Sequence, residues 1–599
     1  MHPSRDCEHI ESTFRPFVIF SDVGHEAHAA EGLMKPSTLM KGVWYESSGM
    51  KASLGAFHSS RIVRDDSHPP GEYCILFERS RGLFIKTDFF GLYKLFYSTP
   101  EMNKQKLFVV SDCFNSISSF LKQSGEVLTF NESYICPLLC DGPNNFFYQE
   151  YGCETAIEQV NRLRPDEIIS LTEQRIVSND KFFGRYTSTE YQDLIESGVN
   201  RIAEVLRGVH ESRPSINPRL YLSGGKDSRV SLAITMRALG LDDFLVATHE
   251  PAGYGKGIQE DYEVSARLVG SLNLKVSPWN MPLVGSSEAP LSSQMRRWND
   301  IQSNAKFQFG PTKRRDIRAF SFEIRGGLGE AFRGYPYYYK GIVDKLGCSK
   351  GELRDDLVRW FDWVTGSSSL VCEDMLVRSR EKFIEYAYSI PGDEVRDKLD
   401  MHYTLHRNRN HFSNILMGLR RNAGVVFPMQ APEFFWAANS LDKEERRSGK
   451  VLFDIIERTV PLLNGFEFQG GWRQRNSWRR RVKSVVVDLE SPDSVMRRNY
   501  HSLDELVKQT NGMGEPASPL SERDLLSQIS SAIERSLNVL ADKTSSVKWL
   551  DVERRVIALS NDQKIQPLGM LLAKLSSMSD AWERDGPDYS LWRIDDFSG

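Results

Sequence analysis

The chain has 599 residues, 40% hydrophobic and 26% charged, with a formal net charge of −4. That length asks for two or three domains with real cores. The near-balanced charge excludes the broad basic surface of a nucleic-acid binder or of a protein drawn to anionic membranes, and eight scattered cysteines without a CxxC pair exclude a disulfide scaffold or a zinc site.

The first residues, MHPSRDCEHIESTF, carry no apolar core of a signal peptide. No run of about 18 apolar residues occurs, so no membrane span is expected and a cytoplasmic location is the default. Residues 1–185 read as β-rich. In EYCILFERSRGLFIKTDFFGLYKLFYST (72–99), short apolar runs broken by Gly, Asp and Ser-Arg predict neighbouring antiparallel strands. KLFVVSD (106–112) adds a strand, and DEIISLTEQRIVSNDKFF (166–183) a hairpin with TEQ near its tip.

The pattern changes near 186. Leu194, Val199, Ile202, Val205 and Leu206 recur at helical spacing in 188–212. Strands and helices then alternate: RLYLS, a helix over Val230 to Leu239, DFLVATHE, a helix over EDYEVSARLVGSLN, then LKVSPW. Such alternation predicts a parallel sheet. Residues 350–599 read as mostly helical, interrupted by the linker-like KSVVVDLESPDS and QTNGMGEPASPLSERD. The fold class is therefore α/β: an antiparallel β-rich N-terminal domain over 1–185, then a parallel-sheet domain with a helical C-terminal part over 186–599.

The candidate site is YLSGGKDSRV (221–230). A strand ending in Ser-Gly-Gly and turning into a helix puts backbone N–H groups at a helix N-terminus, where the helix dipole favours an anion and glycines admit a phosphate. Ser223 and Ser228 offer hydroxyls to the same anion, and Asp227 fits as a ligand for Mg²⁺ that offsets the phosphate charge. The sequence is not G-x-x-x-x-G-K-[ST]. His249 follows the second strand of the sheet, at the edge where open α/β sheets bind ligands.

SGGKDS resembles the SGGxDS loop of the PP-loop ATP pyrophosphatases, which implies a nucleotide site over Leu222, Ser223, Gly224, Gly225, Lys226, Asp227 and Ser228, with His249 and Gly327 beside it. LFIKTDFFGLYKLFY (83–97) looks like the D-x-x-G-x-x-P-L-[FY]-Y segment of asparagine synthetases, with Lys94 at the family's Pro. ETAIEQVNRLRPDEIISL (154–171), EDYEVSARLVGSLNLKV (260–276) and the 411–449 stretch resemble later segments of the same family, in the same order. The resemblance implies a class II glutamine-amidotransferase-like domain over 1–185 and an asparagine synthetase-like ATP-pyrophosphatase domain over 186–599.

Two departures matter. A glutamine-hydrolysing member needs a cysteine after the initiator Met, and here residue 2 is His2 and the first cysteine is Cys7. The first domain is therefore expected to be vestigial, as in the β-lactam synthetase and lasso-peptide cyclase branches. RGGLGEAFRGYPYY (325–338) stands for the family's G-E-G-x-D-E-x-F-x-G-Y, with Gly326 and Gly329 at two acidic positions and Glu330 at the remaining one. The resemblance thus implies ATP and Mg²⁺ as cofactors, with Asp227 and Glu330 as metal ligands. It also implies Glu330, Lys450 and Arg473 as catalytic groups, and a small-molecule or peptide substrate bearing a carboxylate. The expected reaction is AMP-forming amide or lactam formation without glutamine hydrolysis. Adenylation of a non-carboxylate substrate and nucleotide binding without catalysis stay open, as does a homodimer; a membrane or nucleic-acid partner is not expected. The basic stretch WRQRNSWRRRVKS (472–484) reads as a solvated helix end or an anion contact, and HRNRNHF (406–412) as a polar helix face, the alternative being that Arg407 or Arg409 reaches substrate.

Overall fold

The computed structural model describes residues 16–22, 38–60, 68–79, 82–140, 152–184, 186–214, 217–249, 256–277, 321–335, 352–366, 370–419, 423–469, 491–499, 522–562, 564–583 and 589–594, with positions 291, 295, 341 and 342. Among them lie three sheets.

The first two sheets form the N-terminal half. One runs β16-β1-β7-β6-β8, from β1 (Phe17–Asp22), β6 (Phe96–Ser98), β7 (Leu107–Ser111), β8 (Asn161–Arg162) and β16 (Ser590–Arg593). The other runs β10-β9-β5-β4-β2-β3, from β2 (Thr38–Glu46), β3 (Gly49–Ser60), β4 (Gly71–Arg79), β5 (Gly82–Thr87), β9 (Glu167–Ser170) and β10 (Arg175–Ser178). All pairings are antiparallel except β1 with β16. The period of two in a strand explains the packing. Phe17 and Ile19 of β1 and Phe108 and Val110 of β7 meet Cys74 and Leu76 of β4 between the sheets. Val18 and Val109 point the other way, into a helical layer. Strands covered on both faces are apolar almost throughout, which is why LFVVS is buried at every position. A buried ion pair, Lys41 Nζ to Asp112 Oδ2 at 2.6 Å, ties β2 to the end of β7. The 166–183 hairpin is β9 and β10 in antiparallel register.

The third sheet is wholly parallel, in the order β13-β12-β11-β14-β15. Its strands are β11 (Arg219–Tyr221), β12 (Leu245–Ala247), β13 (Val276–Ser277), β14 (Ser321–Arg325) and β15 (Ala423–Val426). β11 is central. The chain steps outward from it through β12 and β13, then returns to its other side with β14. The strand order therefore reverses between β11 and β14, and the crevice beyond their carboxyl ends is where such sheets hold ligands. Helices Tyr191–Ser212, Lys226–Leu239 and Lys450–Thr459 share one hydrophobic core with this sheet. Val230 to Leu239 was expected as helix; the helix begins earlier, at Lys226, because the Gly-Gly turn itself forms its entry.

Helices Glu522–Ala541, Trp549–Asn561 and Ile565–Glu583 follow, and their apolar faces join residues of β1, β6 and β7 and of helix Phe114–Gln123 in a second core. β16 then pairs with β1, Phe17 opposite Ser590. No helix among the described residues is long and apolar enough to cross a membrane.

Candidate nucleotide site

Two loops build the site, one after β11 and one after β14. In the first, Leu222 is a packing residue: it is buried, its N–H donates to Ala247 O at 2.9 Å and its carbonyl accepts from Thr248 Oγ1 at 2.6 Å. The Ser228 hydroxyl faces into the loop, 3.0 Å from Ser223 Oγ and within 2.9 Å of Ser223 O. The two serines thus hold the turn closed in this conformation, where the sequence assigns them to an anion.

The two glycines differ. A Cβ on Gly224 would lie 3.0 Å from both Asp261 Oδ1 and Gln469 Cβ, whereas one on Gly225 would meet only Ser223 Oγ, at 3.4 Å. Gly224 is there for packing: its N–H donates to Asp261 Oδ1 at 2.9 Å and its carbonyl accepts from Gln469 N at 3.0 Å. Gly225 is the extended residue entering helix Lys226–Leu239, φ −76° and ψ 165°, with no side chain capping it, and the space beside it is open. Lys226 leans toward Phe453, its Nζ 5.5 Å from the ring centroid.

Asp227 lies in the first helical turn. Its Oδ2 accepts the Gly329 N–H at 3.2 Å, and its Oδ1, shut off from solvent, has no hydrogen-bond partner. Burial pushes its pKa up to about 7; the Glu330 charge adds to the shift, while Arg333, Lys226 and the Gly329 N–H oppose it. Asp261 is raised by burial, against the Gly224 N–H and the nearby His249. His249 stands half-buried one residue beyond Thr248, near enough for its charge to act on Asp261.

The second loop crosses the first at close range. A Cβ on Gly326 would lie 2.7 Å from Ser228 N, so only glycine lets the β14 loop pass the helix entry. Gly327 sits against the Phe412 ring, and Leu328 takes a left-handed φ of 71°, a strained conformation for a branched side chain. Gly329 stands where the resemblance implies an acid, and the Asp227 carboxylate fills the room such a side chain needs: a Cβ there would be 2.3 Å from Oδ1.

Glu330 opens the short helix Glu330–Arg333. Its Oε1 accepts from Arg333 Nη2 at 3.0 Å and its Oε2 from Tyr403 OH at 3.4 Å. Arg333 Nη2 is also 4.0 Å from Asp227 Oδ1. Tyr403 belongs to a π-helical turn, Tyr403–Arg407, and stacks on Tyr335 with centroids 4.7 Å apart; such turns recur at functional sites. Arg407 caps this stack, 5.0 Å from the Tyr335 centroid.

The structure thus brings Ser223, Gly225, Asp227 and Ser228 of the first loop together with Gly326, Gly329 and Glu330 of the second, and sets Gly327 against Phe412. Lys450 is committed elsewhere: its ammonium pairs with Asp454 and lies 4.4 Å from the Tyr191 ring centroid, and Tyr191 OH donates to the same Asp454 at 2.8 Å. Arg473, Cys7 and the 472–484 stretch lie outside the described residues. HRNRNHF is not a solvent face. His406, Asn408, Arg409 and Asn410 are buried where the N-terminal half meets the helix Asn408–Leu419, with Arg409 donating to Leu163 O and Arg162 to Asn410. The Arg333 pairing with Glu330 is the one that its spacing of three signals. Tyr403 had no signal in the sequence, because only the tertiary fold brings it there.

Among the described residues no group of three or more His, Cys, Asp and Glu is arranged to hold a metal. Mg²⁺ on a nucleotide needs only one or two carboxylates besides the phosphates. Asp227 Oδ1, which has no hydrogen bond, meets that requirement for one ion. No family model matches the chain, and no curated protein matches it significantly.

Proposed function

We propose that the chain is an asparagine synthetase-like, AMP-forming ligase that binds ATP in the crevice between the β11 and β14 loops. The observation that carries this reading is the helix entry at Gly225, where a Cβ would meet only Ser223 Oγ, beside the buried Oδ1 of Asp227, which has no hydrogen bond. Backbone N–H groups and the helix dipole favour the phosphates there, and Asp227 would hold Mg²⁺, which when bound offsets phosphate charge. The substrate is a small molecule or peptide with a carboxylate. Its oxygen attacks the α-phosphorus, the α–β phosphoanhydride bond breaks, and pyrophosphate leaves. An amine then attacks the acyl carbon, AMP departs, and the amine's proton passes to a base. That transfer is assigned to Glu330, which accepts hydrogen bonds from Arg333 and Tyr403. The protein works in the cytoplasm.

A second reading, nucleotide binding without catalysis, is favoured by the commitment of Lys450 to Asp454 and by glycine at 329. Incubation with ATP labelled at the α-phosphate, over panels of carboxylates and amines, separates the two. Labelled AMP with pyrophosphate and a new amide supports ligation. AMP without an amide points to another adenylated group. Bound but unchanged ATP across the panels supports the second reading.

A further inference from the structure

Arg333 is a cation set between the two acids of this site. One of its nitrogens, Nη2, lies 3.0 Å from Glu330 Oε1 and 4.0 Å from Asp227 Oδ1, and its side chain is 21% exposed. A guanidinium held between two acids at the mouth of a phosphate crevice is a fixed, permanently charged donor, suited to phosphate oxygens. The surroundings leave little for a second metal ion. The Gly329 position has no room for a carboxylate while Asp227 stands there, since a Cβ would be 2.5 Å from Asp227 Cγ. Both Glu330 oxygens are already engaged, one by Arg333 and one by Tyr403. Asp227 Oδ2 accepts from Gly329, and only Oδ1 is left for an ion.

We infer that Arg333 takes the place of a second divalent cation, contacting the β- and γ-phosphates directly, so that the site binds one metal ion per nucleotide. This rests on the ATP reading above. The position of Arg333 on a short helix that starts at Glu330 gives it the reach: the same turn that presents the acid presents the guanidinium three residues on, on the same face. When a nucleotide enters, the guanidinium exchanges the weaker 4.0 Å contact with Asp227 for phosphate oxygens, and Asp227 Oδ1 is released toward the metal.

The test uses the full chain, Mn²⁺ and the α,β-methylene analogue of ATP, with bound Mn²⁺ counted by electron paramagnetic resonance and analogue affinity measured by calorimetry. The expected result is one Mn²⁺ per chain with analogue bound. Arg333→Gln should keep that count and weaken the analogue about tenfold or more, and Arg333→Lys, which keeps the charge but not the fork, should fall between. Two Mn²⁺ per chain in the wild type would overturn the inference while leaving the ATP reading standing, as would Arg333→Gln binding within twofold of wild type. Should circular dichroism show Arg333→Gln misfolded, the wild-type count alone decides. Failure of the wild type to bind the analogue at all would remove the ATP reading, and the inference with it.

Discussion

At the scale of single residues, Asp88 shows how a family-like motif can serve the fold. In the D-x-x-G segment its Oδ1 accepts the N–H of Phe90 and Leu92 at 3.2 and 3.1 Å, and its Oδ2 that of Tyr93 at 2.7 Å. Asp88 is 3% exposed, and Gly91 turns the chain at φ +64°. The motif resemblance is therefore legible as a tight, capped turn leading into β6. Burial, helped by Glu72, raises Asp88 to about 7, against the three N–H groups that favour its charged form. The native chain then keeps a proton that the unfolded chain has lost above the usual carboxylate range. Stability from this site falls as pH rises from about 4 to about 7. Urea unfolding at pH 5 and pH 8 checks this. Wild type should lose more stability across that interval than Asp88→Asn does, while Asp88→Asn should start lower at pH 5 because its amide NH₂ faces the Tyr93 N–H. Parallel pH dependence in the two proteins would show that Asp88 is ionised throughout.

At the scale of elements, helix Tyr191–Ser212 joins the two halves. It follows the N-terminal domain in sequence, shares the core of the parallel sheet, and passes the turn between β2 and β3 at Gly208. A Cβ on Gly208 would fall 1.8 Å from Ser47 O, an atom of the backbone that cannot swing aside. Gly208→Ala should raise intrinsic helix propensity by up to about 1 kcal/mol and yet destabilise the protein by about 1–3 kcal/mol through overpacking, read as a lower denaturant midpoint. A stabilised variant would mean that the helix stands off the turn. The helices and strands of this region were legible because their apolar spacing is regular. The 406–412 segment was not: His406, Asn408, Arg409 and Asn410 look like a polar helix face by composition, and only packing between the two halves buries them. Lys450 misled in a similar way. A lysine at the start of a helix near the site draws attention, but an aspartate one turn on and a tyrosine from a distant helix claim it.

At the scale of the whole molecule, the order of strands places the site. The sequence shows alternating strands and helices, but not that β14 lies beside β11, with Tyr221 opposite Arg325. That adjacency brings the loops after the two strands together and sets Gly329 against Asp227. It also explains why glycines stand where the resemblance implies acids: the β14 loop runs too close to the first helical turn to carry side chains at 326 and 329. The chain's return through β16 to β1 was likewise beyond sequence reading, since SLWR alternates half-buried and exposed positions as any edge strand does.

Calorimetric titration of Mg²⁺·ATP into the wild type and into Gly225→Val tests the central claim most directly, because a Cβ at position 225 meets only Ser223 Oγ, at 3.4 Å. The account predicts saturable binding to the wild type that requires Mg²⁺, and loss of at least about tenfold in affinity in Gly225→Val with its unfolding midpoint nearly unchanged. Equal binding by both proteins, or none by the wild type, would contradict it.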